Sequence, residues 1–256
     1  MGQGGIDDWD KPPSIDVAAA PRRSTSSLDG MIDDTAKFDV DGFAIIPGVV
    51  SPAECDAVTA QVALAASDAP GSRTLLSMPW CAALAHAIRR NKAVRSLLPE
   101  KPVAVQCTYF EKSESQNWLV AVHQDLGIPV RERIDAAACS AWSEKEGVLF
   151  VQPPATVLET IVAVRLHLDD SAPSNGPLRV VPGSHRRGRL TSAQVRAARD
   201  ESSEITCPVP KGGVLVMRPL LLHASSKAQV SAPRRVLHFV FGVPALPLGL
   251  TWHTAV

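Results

Sequence analysis

The sequence has no excess of either charge: Lys+Arg 26 balances Asp+Glu 26 over 256 residues. Without a net field, nothing draws the chain as a whole to nucleic acid or to an anionic membrane surface. Long hydrophobic runs are missing too, and none approaches the roughly 18 apolar residues of a membrane span. The start, Met1-Gly2-Gln3-Gly4-Gly5-Ile6, has neither the basic opening nor the apolar middle of a secretory signal. A myristoylation site requires Ser or Thr where Ile6 stands. These absences predict a cytoplasmic protein that engages neither nucleic acid nor membrane. C-x-x-C pairs are also lacking: Cys55, Cys81, Cys107, Cys139 and Cys207 are scattered and odd in number. That spacing excludes a zinc knuckle or a redox dithiol and predicts small buried hydrophobes.

What is present describes one globular domain. The apolar fraction is 45% and the charged fraction 20%, ordinary for a chain long enough to bury a large core. Residues 1–35 are rich in Asp, Ser, Pro and Gly. They bury too little to offset ordering entropy and read as a disordered tail before a domain over 36–256. Order is expected from near Phe38. Phe43 to Ile46 reads as a strand. Ser51-Pro52-Ala53-Glu54 opens a helix with a capping box, and further helices fall around Met78–Asn91 and Lys92–Leu98.

Val103 to Phe110 alternates as a strand, with Gln106 and Thr108 on one face. Between Leu126 and Glu159 the chain has no clear period and reads as a long loop, where Arg131, Arg133, Trp142 and Lys145 are candidate substrate contacts. Ile161 to Asp169 is the best strand. Val162, Val164, Leu166 and Leu168 make an apolar face, while Arg165, His167 and Asp169 must face a polar cavity or solvent. Strands follow at Leu178–Val181, Val214–Met217 and Val236–Val243, with a capped helix opening at Thr191. Short strands after a helical first third predict a mainly β protein with flanking helices, a double-sheet jelly roll.

Two stretches carry chemistry. His123-Gln124-Asp125 places an imidazole and a carboxylate on one side of an extended chain, because strand side chains alternate. His223 ends the apolar run Leu220-Leu221-Leu222. Two histidines and one carboxylate on one face of an iron leave three positions open. Eleven residues beyond His223, Arg234 and Arg235 point to opposite faces, so only one of them can enter a cavity. A buried guanidinium requires an anionic partner, and no acidic residue lies close in sequence; a bound dicarboxylate would satisfy it through two parallel hydrogen bonds.

These residues, with Asn175-Gly176-Pro177-Leu178-Arg179-Val180-Val181-Pro182-Gly183-Ser184-His185 between them and Asp41-Gly42-Phe43 early in the chain, resemble the phytanoyl-CoA dioxygenase family. The resemblance spans about Phe38 to Val243. It implies a double-stranded β-helix (cupin-like) and an iron(II)- and 2-oxoglutarate-dependent dioxygenase that consumes O2 and releases succinate and CO2 while oxidising a small molecule. It also implies His123, Asp125 and His223 as metal ligands, and Arg234, assisted by Ser225, as the clamp on the remote carboxylate of 2-oxoglutarate. Arg165 falls where some relatives place an aromatic residue against the cosubstrate, and Thr108 is a further cosubstrate candidate. Related halogenases carry Gly or Ala in place of the carboxylate, so Asp125 implies hydroxylation or a related oxidation rather than halogenation. His185 is expected to be structural, and the basic run through Arg189 to be exposed surface. Two other readings stay open: an inactive relative serving as a binding module, and a cupin-like metal enzyme that does not use 2-oxoglutarate.

Overall fold

The computed structural model describes residues 27–65, 73–114 and 117–256. The expected tail lies outside them as far as residue 26. The described chain opens with helix α1 (Ser27–Asp41), upstream of the point where order was expected. Acidic residues obscure its period. What seats its end is Phe38, 1% exposed, with the Arg218 guanidinium 4.8 Å from the ring centre.

Strand β1 (Phe43–Ile46) and helix α2 (Pro52–Ala65) follow. The capping box forms as its sequence predicts. Ser51 N donates to Glu54 Oε2 at 2.9 Å and Glu54 N to Ser51 Oγ at 3.2 Å. Helices α3 (Pro79–Arg90) and α4 (Lys92–Arg95) complete the helical third.

The remaining elements are β2 (Val103–Lys112), β3 (Val120–His123), β4 (Ile128–Val130), β5 (Ser140–Lys145), β6 (Val148–Gln152), the one-turn α5 (Ala155–Leu158) and β7 (Val162–His167). After them come β8 (Leu178–Val180), α6 (Ser192–Asp200), β9 (Ile205–Cys207), β10 (Val214–Met217), β11 (His223–Ser225) and β12 (Arg234–Gly242). A five-stranded antiparallel sheet, β1-β10-β7-β12-β2, faces a four-stranded one, β3-β11-β8-β9. This is the predicted double-stranded β-helix.

Period-two alternation divides the large sheet. Val162, Val164, Leu166, Val216, Leu237 and Phe239 form its outer face and pack with Cys55, Val62, Cys81, Ala85 and Ile88 of the helices. Fully burying one such aliphatic side chain contributes about 1.5–3 kcal/mol, so this layer anchors the helices. The inner face is apolar at one end, where Ala163, Leu215 and Met217 meet Leu178 and Val180 of the opposing sheet and Leu221 just before β11. At the other end it is polar. All five cysteines are free and buried.

The segment expected as a loop over 126–159 instead holds a third sheet, β4-β6-β5. Its signal was a two-residue turn: Glu146 and Gly147 both have positive φ, 52° and 74°, as a tight hairpin requires. The bulge between Ser140 and Ser143 interrupts the alternation on β5, so the period is not visible in the sequence.

Candidate metal centre

The antiparallel register of β11 on β3 sets His223 directly opposite His123. Their ring centres are 4.2 Å apart. Each imidazole is held by the carbonyl two residues before it: His123 Nδ1 lies 2.8 Å from the Ala121 carbonyl oxygen and His223 Nδ1 lies 2.9 Å from that of Leu221. Donation from Nδ1–H to a carbonyl leaves Nε2 with its lone pair free, the form a metal-ligating histidine takes. Asp125 follows β3, and its N–H donates to the Pro219 carbonyl oxygen at 2.9 Å. Its Oδ1 lies 3.7 Å from His123 Nε2, and its Oδ2 3.7 Å from His223 Nε2.

One donor atom from each of the three residues falls within 4.8 Å of the others. Gln124, between them, turns away. Its amide donates to the carbonyls of Gly188 and Leu220 at 2.8 and 2.7 Å and accepts from Leu190 N–H at 2.8 Å. This fully bonded amide fixes the strand end that carries the other two.

The electrostatics suit a cation. Burial alone would raise the Asp125 carboxyl, but His223, His238, His123 and Arg165 together bring it below the ordinary carboxylate value. Burial is also the main cause pushing His223 down to about 4 and His238 down to about 3. Both rings are therefore neutral lone-pair donors at physiological pH. An imidazole, an imidazole and a carboxylate on one side of a cavity match the facial triad of non-haem iron(II) oxygenases.

The triad opens into a cavity of about 120 Å³. Its far end is cationic. Arg234 is 5% exposed, and its Nε and Nη1 have no hydrogen-bond partner among the described residues. Lys112, 2% exposed, donates from Nζ to Ser225 Oγ at 2.9 Å and to the Ser226 carbonyl. Arg165 Nη1 lies 3.0 Å from His238 Nδ1, and Phe110 lies beneath its guanidinium at 5.5 Å. Among the described residues, Asp125 is the sole carboxylate lining the cavity. Unpaired buried guanidinium donors beside a second buried cation fit an anion bearing a terminal carboxylate. The donor chemistry at both ends therefore fits iron(II) and 2-oxoglutarate.

The profile of the family described as phytanoyl-CoA dioxygenase (PhyH) matches residues 38–236. The chain belongs to the phytanoyl-CoA dioxygenase family. It is an iron(II)- and 2-oxoglutarate-dependent enzyme of that family. Solved structures share the fold at low identity. The non-heme alpha ketoglutarate dependent epimerase SnoN from nogalamycin biosynthesis is 17% identical, with a TM-score of 0.61 over 84% of this chain and 83% of that one. EctD from S. alaskensis with bound Fe gives 18% and 0.63 over 86% of this chain and 77% of that one. HygX from Streptomyces hygroscopicus with nickel and 2-oxoglutarate bound gives 19% and 0.58 over 86% and 88%.

The N-G-P stretch of this family member has a physical task beside the cavity. Gly176 has φ +69°, and a Cβ there would collide with the Ser226 carbonyl oxygen. Gln229 N–H donates to Ser174 O at 2.7 Å. From the other side, Asn117 holds Ala228 through both of its backbone groups, at 2.8 and 2.7 Å. The segment after β11 is thus fastened on both flanks, and it carries the carbonyl that Lys112 bonds.

The structure brings together His123, Asp125, His223, Arg234, Ser225 and Arg165 around one cavity. Thr108 is a correction. It shares the inner face with Phe110 and Lys112, but its hydroxyl accepts from Gln106 Nε2 at 2.8 Å and it does not line the cavity. Arg131, Arg133, Trp142 and Lys145 also lie away from the lining. Arg133 stacks on Trp142 at 5.2 Å, and Lys145 lies over Phe150 at 5.3 Å, within the third sheet. His185 is structural as expected: its Nε2 meets the Asp39 carbonyl at 3.2 Å, and its ring fills the space where a Cβ on Gly42 would be. Lys112, His238 and Trp118 line the cavity but escape a reading of the sequence. A lysine ending a strand looks solvated, and His238 lies within a run otherwise rich in apolar residues.

Among the described residues no helix is long and apolar enough to cross a membrane.

Proposed function

We propose that the protein hydroxylates an unactivated C–H bond of a small molecule, with His123, Asp125 and His223 as the three protein ligands of iron(II). Arg234 and Lys112 hold the remote carboxylate of 2-oxoglutarate, with Ser225 orienting the Lys112 amine. Arg165 and His238 form the wall beside Asp125. When bound, the iron with 2-oxoglutarate and O2 supplies the oxidising chemistry and yields succinate and CO2. The protein contributes fixed positions, neutral imidazoles at His223 and His238 and a cavity walled by Phe110, Trp118, Val120 and Leu178.

The observation that carries the reading is the buried Arg234 with unpaired donors in the same cavity as the two-histidine, one-carboxylate cluster. A cupin-like enzyme without 2-oxoglutarate would need another anion to pair that cation. Hydroxylation is favoured over two other outcomes. Asp125 supplies the carboxylate, so its place is not open to halide. Inverting a carbon centre needs a hydrogen atom returned to it, and no Tyr or Cys is among the described residues that line the cavity. Tyr109 bonds Glu111 at 2.8 Å instead.

The test is anaerobic titration of the protein with Fe(II) and 2-oxoglutarate, followed by the weak visible band of the chelate. The wild-type protein is expected to develop the band. Its absence from iron-loaded protein removes the reading. Turnover of a candidate substrate under ¹⁸O₂ then distinguishes hydroxylation, which retains the label in the product, from oxidations that do not.

A further inference from the structure

The inner face of the large sheet is a grid whose rows follow from register. Arg165 on β7 stands opposite His238 on β12, and His238 opposite Thr108 on β2. In the next row His167 stands opposite Val236, and beyond it Arg234 stands opposite Lys112. His167 is the anomaly. It is 1% exposed, and neither ring nitrogen has a hydrogen-bond partner among the described residues. Its backbone is pinned on both sides, N–H to Gly213 O at 3.0 Å and C=O from Gly212 N–H at 2.8 Å, so the ring cannot swing to solvent. An unbonded imidazole at such a position costs stability that an aliphatic residue would not.

Its neighbours are charged. Arg165 lies two residues back on the same strand face. Arg234 lies diagonally across on β12, where Cβ atoms are about 7–8 Å apart and long side chains meet. Burial first, then Arg165 and Arg234, hold His167 well below the ordinary histidine value, so the ring is neutral. A neutral imidazole has one N–H and one lone pair. Arg234 has the complementary groups, Nε–H and Nη1–H, both without a partner among the described residues.

We propose that His167 is a positioning residue for Arg234: with 2-oxoglutarate bound, its lone-pair nitrogen accepts from the guanidinium, a bond that neither group makes as placed, and fixes the plane in which Arg234 meets the remote carboxylate. A guanidinium grips a carboxylate through two in-plane hydrogen bonds, so a rotated plane forfeits one of them. The inference rests on the reading of Arg234 as the clamp.

The experiment is anaerobic calorimetric titration of the Ni(II)-loaded full chain, which involves no turnover. The probes are 2-oxoglutarate and 2-oxopentanoate, which has a methyl group in place of the remote carboxylate. His167→Leu is expected to weaken 2-oxoglutarate about tenfold, the worth of one charge-assisted hydrogen bond, and to leave 2-oxopentanoate unchanged. In an Arg234→Ala background it is expected to have no further effect. Equal losses on both probes, additivity with Arg234→Ala, or unchanged 2-oxoglutarate affinity each overturn the proposal. If His167→Leu does not fold, His167→Asn and His167→Gln replace it. Only one of them can return an acceptor at the lone-pair position, so equal 2-oxoglutarate affinities overturn the proposal and unequal ones support it. Failure of the wild-type protein to bind 2-oxoglutarate removes the clamp reading along with this one, whereas binding that ignores His167 removes this one alone.

Discussion

Arg234 and Lys112 are register partners on β12 and β2, two buried cations facing each other. Like charges directly opposite on a ladder repel, and burial away from water adds to the cost. Among the described residues, the hydrogen-bond partners of Lys112 are neutral oxygens of Ser225 and Ser226. The pair is stable as placed when an anion lies between.

Arg234→Ala removes a buried charge that a carboxylate would pair with. Truncating such a partner costs about 2–5 kcal/mol, or roughly 30- to 4,000-fold in 2-oxoglutarate affinity. The concentration needed to develop the Fe(II) chelate band is expected to rise accordingly, with the far-ultraviolet spectrum unchanged. An unshifted titration would place the cosubstrate elsewhere.

Lys112 makes ligand-free stability depend on pH. Burial first, then Arg234, Arg165 and Arg179, push its amine from 10.5 down to about 7. A base depressed on folding carries fewer protons folded than unfolded between those two values, so stability rises with pH across that window and is flat below it. Urea midpoints between pH 6 and 10 are expected to show the rise in wild type and a flatter profile in Lys112→Met. Parallel profiles would show that Lys112 does not titrate there.

Asp125→Ala leaves two imidazoles to hold the metal. Loss of a partner to a ligand already lowers metal affinity 10–100-fold, so loss of the carboxylate ligand is expected to cost at least about 100-fold. Iron retained after anaerobic loading and desalting measures it. Stoichiometric retention by the variant would move the metal to other donors.

Gly176→Ala combines a positive φ with a collision against the Ser226 carbonyl. Strain of this kind costs about 1–3 kcal/mol, and relief requires the segment after β11 to move. The expected result is a lower denaturation midpoint together with weaker 2-oxoglutarate binding, since Lys112 bonds that same carbonyl. A midpoint within error of wild type would show that the segment yields without resistance.

The contributions of sequence and tertiary structure separate cleanly at particular residues. Alternation is a local property, so the spacing of His123 and Asp125, the two-faced strand around Arg165 and the division of Arg234 from Arg235 were all legible. Capping at Ser51 and Thr191 is equally local, with Thr191 N–H donating to Gln194 Oε1 at 2.9 Å. The family motif around Asn175 set the fold and the cofactors. The helix over Ser27–Asp41 and the sheet within 126–159 were not legible, because acidic residues in one and a bulge in the other break the period.

Register is not local, and it decided the rest. Alternation says only that one of two adjacent arginines points inward. The pairing of β12 with β2 and β7 makes that one Arg234, and leaves Arg235 to a bidentate pair with Asp169 at 2.7 and 2.6 Å. The same pairing brings Lys112 and His238 to the cavity, and the β3–β11 register sets His123 against a histidine a hundred positions away. By itself the sequence determined which side chains share a face, because that follows from backbone geometry residue by residue. Which faces meet, and at what offset, was decided only when hydrogen bonds between distant strands closed the barrel.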